Sequence, residues 1–247
     1  MSHQWILLRG LAREKQHSEA FLEQLRKASP DSEVVSLDFP GAGDYFRLSS
    51  PMSISGIAEF VHSHFPKNRA EKRTLVAISL GGMVAMEIAR LYPKSVDEIV
   101  LINSSFKNLS QLFERLQPEA LWHILKASAA TTTEAREDAV LKMVSNSPQR
   151  GLMVSKWSEI ARLRPVSLGN FAKQLLAAAL YDLPAQKPDI PIYIFTSEGD
   201  RMVNPQCSKK LAEHWQLPIA IHPTAGHEMY IDAPEWVIEK LQLYCGK

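Results

Sequence analysis

Hydrophobic and polar positions along the first hundred residues follow two different periods. Short continuous apolar runs, which are typical of buried strands, occupy Trp5 to Leu8, Glu33 to Leu37, Thr74 to Ile78 and Glu98 to Ile102. Between them, apolar residues recur at helical spacing and predict helices over 20–27, 53–65 and 81–91, with Ser55 as the predicted N-cap of the second. Continuous apolar strands separated by helices indicate a parallel sheet that is covered on both faces.

The strand pattern stops at about residue 104 and resumes near residue 190. Apolar residues between these points recur at helical intervals, and prolines interrupt them at positions 118, 148 and 165. This pattern predicts a helical insertion over 104–188, within a core formed by 1–103 and 189–247. Apolar runs at 190–196 and 219–222 predict two more strands, and 209–215 and 234–244 predict two more helices. We therefore expect an α/β fold with about six mostly parallel strands and a helical insertion.

The composition excludes several classes of protein. Of the 247 residues, 45% are hydrophobic and 22% are charged, which fits a large core and not a disordered chain. A formal charge of +1 gives no reason to expect nucleic acid or a membrane as a partner. The apolar runs at 5–8 and 175–181 are too short for a signal peptide or a membrane span. The 2 cysteines form no C-x-x-C pair and the histidines lack metal-ligand spacing, so we expect a cytoplasmic protein with no metal or other cofactor.

A serine occupies the tight turn between the third apolar run and the helix that follows it. The segment Ala77-Ile78-Ser79-Leu80-Gly81 has the form A-x-S-x-G and differs from the G-x-S-x-G nucleophile elbow at its first small position. Such a turn lifts the serine hydroxyl above the strand ends, and the Leu80 N–H at the helix start can bind an oxyanion. Alone, the segment is equally compatible with an ordinary serine in a strand-to-helix turn.

A serine nucleophile needs a base, and the base needs a group that orients it. His227 lies just after the last predicted strand, and Asp200 lies just after the strand before it. Asp182 and Glu198 are also near that strand, but Asp200 fits the loop after it best. The order Ser79, Asp200, His227 is the chain order of α/β-hydrolases, and all three residues follow the carboxyl ends of strands.

An ordered set of short motifs resembles the α/β-hydrolase family along nearly the whole chain. The motifs are Leu8-Arg9-Gly10-Leu11, Asp38-Phe39-Pro40-Gly41-Ala42-Gly43, Ser79-Leu80-Gly81-Gly82, Gly199-Asp200 and Gly226-His227. The insertion resembles the family's cap domain. In type, the chain is most similar to small capped carboxylesterases such as the pimeloyl-carrier-protein methyl ester esterases. Two departures are Arg9-Gly10 where the family usually has His-Gly, and a first strand that already matches the family's third.

The resemblance implies a serine hydrolase that cleaves small-molecule carboxylic esters or thioesters through an acyl-enzyme. In that mechanism Ser79 attacks the acyl carbonyl, His227 carries the proton and Asp200 orients the imidazole. The N–H groups of Leu11 and Leu80 would bind the oxyanion. A serine at the elbow argues against a haloalkane dehalogenase or an epoxide hydrolase. Two alternatives stay open: a lyase or acyltransferase that uses the same triad, and a non-catalytic binding protein with this fold.

Three side chains are candidates for contact with the substrate. Arg9 either braces the oxyanion loop, through loop carbonyls or a nearby carboxylate, or binds a carboxylate or phosphate of the substrate. Trp122 and Trp157 either line an acyl pocket or belong to a helical core. The insertion has 11 basic and 7 acidic residues, and this net charge of +4 either attracts an acidic carrier protein or reflects a solvated helical surface.

Overall fold

A single parallel sheet forms the centre of the computed structural model, which describes residues 3–246. Neighbouring strands are parallel throughout, and their order across the sheet is β2-β1-β3-β4-β5-β6. The strands are β1 His3–Leu8, β2 Ser32–Leu37, β3 Lys72–Ile78, β4 Glu98–Ile102, β5 Ile192–Ser197 and β6 Ile219–His222. This architecture confirms the expected α/β fold with six parallel strands.

Helices cover both faces of the sheet. They are α1 Glu19–Ala28, α2 Ile54–Ser63, α3 Leu80–Leu91, α4 Leu112–Arg115, α5 Pro118–Ala129, α6 Thr133–Val144, α7 Arg150–Leu163, α8 Leu168–Leu180, α9 Gln206–Trp215, α10 Met229–Asp232 and α11 Pro234–Cys245. One apolar cluster contains side chains of α2, α3 and α9, and a second contains side chains of α1, α10 and α11. In the part of the chain described, no helix combines the length and apolar character needed to cross a membrane.

The central strand β3 shows why its sequence is continuously apolar. Leu75 and Ala77 point into the first cluster, whereas Val76 and Ile78 point into the second. Successive side chains of a strand alternate between the two faces of a sheet, and here both faces are buried. The apolar run therefore carries no period of two, as expected for a strand between two helical layers.

The helices α4 to α8 lie between β4 and β5, in a segment that we call the insert (residues 104–188). Helices α5, α6 and α7 share their own apolar cluster, to which Ala120, Leu141 and Trp157 belong. Helix α8 instead places Ala177 in the cluster of α2 and α3. Helix α8 thus packs on the layer that covers the sheet, while α5 to α7 share a cluster of their own, against which Met202 and Ile231 of the core also pack.

The N-cap of α2 differs from the expectation. Ser53 caps the helix, with its Oγ accepting the Gly56 N–H at 3.2 Å. The prediction that Ser55 is the cap is wrong. Ser55 is the second residue of the helix, and its hydroxyl donates to the buried carboxylate of Glu87. The apolar pattern locates this helix but does not distinguish between two serines at its start.

Candidate active site

Ser79 occupies the sharp turn between β3 and α3 in a strained backbone conformation. Its φ is +54° and its ψ is −116°, a region that residues other than glycine rarely adopt. The Ser79 N–H donates to the Ile102 carbonyl at 2.9 Å, and the Ser79 carbonyl accepts from the Gly82 N–H at 2.9 Å and the Ser104 hydroxyl at 3.1 Å. These backbone contacts hold the serine in the conformation of a nucleophile elbow.

Small residues let the start of α3 approach the end of β1. A Cβ on Gly81 would lie 2.4 Å from the Leu8 carbonyl oxygen, so a larger residue there would displace backbone. A Cβ on Gly10 would lie 3.5 Å from the Ser79 Cβ, which places the loop after β1 directly beside the serine. Ala77, the departure from G-x-S-x-G, has no exposed surface and packs in the apolar cluster of α2 and α3.

His227 and Asp200 form a buried pair in the loops that follow β6 and β5. Their atoms Nδ1 and Oδ2 are 2.8 Å apart, and both side chains are almost completely buried. The other carboxylate oxygen of Asp200 accepts the N–H groups of Met202 at 2.8 Å and Val203 at 3.0 Å. An ionised carboxylate only accepts hydrogen bonds, so Nδ1 carries the donated proton and Nε2 is left as the basic nitrogen.

The charges around His227 favour its protonated form. Burial opposes an imidazolium, but the negative charge of Asp200 and its hydrogen bond outweigh that penalty. Glu228 adds to the effect, and the Arg9 guanidinium opposes it. The pKa of His227 is therefore raised above its ordinary value.

Asn103 connects the loops that carry His227 and Asp200. Its role is not predicted from the sequence. Its Nδ2 donates to the His227 carbonyl at 2.9 Å, and its Oδ1 accepts the Ser197 N–H at 3.2 Å. Asn103 directly follows β4 and has a φ of +46°, a conformation that asparagine tolerates better than most residues. The one sequence feature that could have indicated this role is an asparagine immediately after a buried strand.

The junction between α6 and α7 also contacts both loops. Asn146 Nδ2 donates to the carbonyls of Gly199 at 2.8 Å and Thr224 at 2.9 Å. The Asp232 carboxylate accepts the N–H groups of Asn146 at 2.7 Å and Gly226 at 2.6 Å. The sequence does not predict this role, because the polar residues of the junction are typical of any loop between helices.

Arg9 lies away from solvent, in a two-pronged ion pair with Glu228. Its Nη1 and Nη2 are 3.2 and 3.1 Å from the two Glu228 oxygens, and both side chains are at most 3% exposed. The guanidinium also lies 4.4 Å from the centre of the Tyr230 ring. With both terminal nitrogens occupied by Glu228, Arg9 fits the bracing role expected for it, and a contact between Arg9 and substrate stays a prediction. The pair joins the residue before Gly10 to the residue after His227.

The two tryptophans occupy different environments. Trp157 is 1% exposed in the apolar cluster of α5 to α7, with the His17 ring against it at 4.7 Å. This burial favours the alternative that Trp157 belongs to a helical core, and a contact between Trp157 and an acyl group stays a prediction. Trp122 is 58% exposed and lies beside the Lys126 ammonium at 4.8 Å. A contact between Trp122 and substrate stays a prediction.

The alternative acids take part in surface ion pairs. Glu198 pairs with Lys209 at 2.7 Å, and Asp182 pairs with Lys107 at 3.2 Å. Within residues 3–246, no group of three or more His, Cys, Asp or Glu side chains could hold a metal ion. Asp200 is the carboxylate that contacts His227.

The two amides expected to bind an oxyanion lie on either side of the serine. The Leu80 N–H belongs to the first turn of α3, where backbone N–H groups have no acceptor within the helix. Leu11 follows Gly10 in the loop beside Ser79. Their role stays a prediction, which depends on where a substrate carbonyl binds.

The model of the alpha/beta hydrolase family matches residues 6–240. The chain belongs to this family. The match covers the second half of β1 and all of β2 to β6, and it includes Ser79, Asp200 and His227, so the family pattern and the arrangement above describe the same part of the chain.

Individual relatives are distant but similar along most of their length. A Bacillus subtilis protein named "Putative 2-succinyl-6-hydroxy-2,4-cyclohexadiene-1-carboxylate synthase" is 25% identical in an alignment of 247 positions that covers 93% of this chain and 85% of the relative. A "Putative carbamate hydrolase RutD" from Cronobacter sakazakii is 24% identical in an alignment of 221 positions that covers 87% of this chain and 81% of the relative. The type II thioesterase BorB of the borrelidin cluster shares the fold, with a TM-score of 0.71, 17% identity and coverage of 98% and 92%. The family and the carbamate hydrolase relative support a hydrolase, and the thioesterase structure supports the fold.

Proposed function

We propose that this protein hydrolyses carboxylic esters or thioesters through a covalent acyl-enzyme on Ser79. One observation carries the proposal: a serine with a φ of +54° follows β3, and a buried His227–Asp200 pair follows β6 and β5. Because the strands are parallel, all three residues lie at the same edge of the sheet. This is the combination of nucleophile, base and orienting acid that acyl transfer requires.

The proposed reaction proceeds in two halves. His227 Nε2 removes the proton from the Ser79 hydroxyl as its oxygen attacks the acyl carbonyl, and the N–H groups of Leu11 and Leu80 bind the oxyanion. The imidazolium then protonates the leaving alcohol or thiol, and the C–O or C–S bond breaks. Water repeats the cycle on the acyl-enzyme, and Ser79 regains its proton. Asp200 stabilises the imidazolium in both halves without becoming protonated itself.

A second candidate is an elimination or acyl transfer catalysed by the same three residues. The Bacillus subtilis relative that is named as a synthase favours it, since that name describes no hydrolysis. One fold supports several chemistries, so the two functions are distinguished by identifying the reaction products. Hydrolysis releases an acid and an alcohol or thiol, whereas acyl transfer requires a second acceptor.

A fluorophosphonate probe tests whether Ser79 is a nucleophile. We expect covalent labelling of the wild-type protein at the peptide that contains Ser79, and no labelling of Ser79→Ala. A panel of matched esters, thioesters and amides of increasing acyl length then tests the substrate class. Labelled protein that hydrolyses no ester or thioester would contradict the proposal and favour the second candidate. Absence of labelling in correctly folded protein would contradict a serine mechanism altogether.

The pH dependence follows from the raised pKa of His227. His227 must be neutral to accept the serine proton, so kcat/KM should fall as the pH drops through that pKa. We expect the midpoint to lie above the ordinary histidine value of about 6.5. The measurement is a pH profile with a slow ester, for which the chemical step limits the rate. A midpoint at or below the ordinary value would contradict the charge arrangement around His227.

A further inference from the structure

A buried glutamine of the insert binds the backbone next to the expected oxyanion loop. Gln174, on α8, has no exposed surface. Its Oε1 accepts the Ala12 N–H at 3.0 Å, and its Nε2 donates to the Pro40 carbonyl at 3.2 Å. Both ends of this amide therefore contact loops of the core and not other parts of the insert. A buried amide with both ends satisfied in this way fixes the relative position of the groups it joins.

The loop that Gln174 contacts is a four-residue turn from Gly10 to Arg13. The Arg13 N–H donates to the Gly10 carbonyl at 3.3 Å and closes the turn. Ala12, at the third position, has a φ of +54°, whereas Leu11, at the second, is not among the residues with positive φ. A positive φ at the third position alone is the signature of a type II turn. That position normally holds glycine, because alanine there is strained.

We propose that Gln174 is a positioning residue that holds the Leu11–Ala12 peptide in the type II orientation. Two residues with side chains, such as leucine and alanine, favour a type I turn, which a rotation of this peptide would produce. The rotation would turn the Ala12 N–H away from Gln174 and leave a buried acceptor without a partner. The hydrogen bond from the insert therefore selects the turn that the local sequence disfavours.

The consequence for catalysis rests on the proposed function. Leu11 carries one of the two N–H groups assigned to the oxyanion, and it lies within the turn that Gln174 controls. A change of turn type rotates the Leu11–Ala12 peptide, whereas the Leu11 N–H lies on the preceding Gly10–Leu11 peptide, so the change would reach this N–H by shifting the loop and not by rotating the donor itself. A shifted donor would affect the step in which the oxyanion forms and leave substrate binding nearly unchanged. Helix α8 would in this way couple the insert to kcat.

Asn170 provides a matched control, one helical turn before Gln174. It is also buried, and it also binds core backbone with both ends of its amide. Its Oδ1 accepts the Ser50 N–H at 2.9 Å, and its Nδ2 donates to the Leu48 carbonyl at 3.0 Å. These contacts attach α8 to the loop after β2 and do not involve the turn at 10–13. Asn170→Leu therefore removes the same kind of contact between insert and core without affecting the oxyanion loop.

The experiment compares Gln174→Met with Asn170→Leu in the full-length protein. Both variants should lose thermal stability. Only Gln174→Met should show faster hydrogen exchange at the Leu11 and Ala12 amides. Only this variant should lose kcat, by roughly 10- to 100-fold with KM almost unchanged, since removing an oxyanion donor completely costs about 10²- to 10³-fold. Equal exchange rates and equal kcat values in the two variants would overturn the proposal.

Adding Ala12→Gly to Gln174→Met tests the turn type directly. Glycine adopts a positive φ without strain, so we expect the type II turn to return together with most of the lost kcat. A double variant as slow as Gln174→Met would overturn the explanation based on turn type. If wild-type protein hydrolyses no ester but the exchange difference persists, the role of Gln174 in the turn is supported and the proposed function fails instead.

Discussion

Ser79→Ala should abolish ester hydrolysis and leave the fold intact. The substitution removes the attacking oxygen. It keeps the Ser79 carbonyl that binds Ser104, and within residues 3–246 the packing depends on no hydrogen bond of the Ser79 hydroxyl. We expect a loss of kcat on the order of 10³-fold or more, because only binding and the oxyanion donors would remain to assist water. The measurement is kcat/KM on an activated ester, with circular dichroism and thermal unfolding to show that the fold persists.

The partners of Ser79 supply the control for this prediction. His227→Ala and Asp200→Asn should each reduce kcat strongly, and combining either with Ser79→Ala should reduce it little further. Such non-additivity is expected when three residues act as one unit, since removing the nucleophile makes the base redundant. Near wild-type activity in purified Ser79→Ala, or fully additive losses among the three, would contradict the mechanism.

The strands of the sheet could be predicted because each one is marked by its own short run of apolar residues. The inner strands are buried on both faces, as Leu75 and Val76 show on β3, and this burial produces their continuous apolar runs. The residues of the candidate site could also be predicted from the sequence, because the chemistry requires a serine, an acid and a histidine directly after strands. The sequence could not show whether Ser53 or Ser55 caps α2, because Ser55 instead binds Glu87, which is distant in the chain.

The residues that support the site depend on contacts between distant parts of the chain. Gln174 and Asn146 are ordinary polar residues of the insert, and only the folded structure brings them to the loops of the core. Trp157 illustrates the same limit from the opposite side. An aromatic residue at helical spacing has the same sequence pattern in a core and in a pocket, and only the folded structure shows that Trp157 is buried among helices. Sequence patterns thus indicate the reacting groups more readily than the scaffold that positions them.

The Arg9–Glu228 pair should be the most sensitive structural contact near the site. Arg9→Met leaves the Glu228 carboxylate buried without its partner, a change that typically costs about 3–5 kcal/mol of unfolding free energy. Arg9 precedes Gly10 and Glu228 follows His227, so the same variant should disturb the oxyanion loop and the histidine loop together. We therefore expect a lower thermal stability and a lower kcat on neutral and anionic esters alike.

Two comparisons make the Arg9 prediction decisive. Arg9→Met combined with Glu228→Gln removes both charges and should recover part of the stability, since the unpaired carboxylate causes most of the loss. Lys209→Met breaks the exposed surface pair with Glu198, which leaves no buried charge without a partner, and should cost much less. The kinetic measurement uses methyl esters with and without a distal carboxylate. A loss confined to the anionic ester, with unchanged stability, would instead assign Arg9 to the substrate.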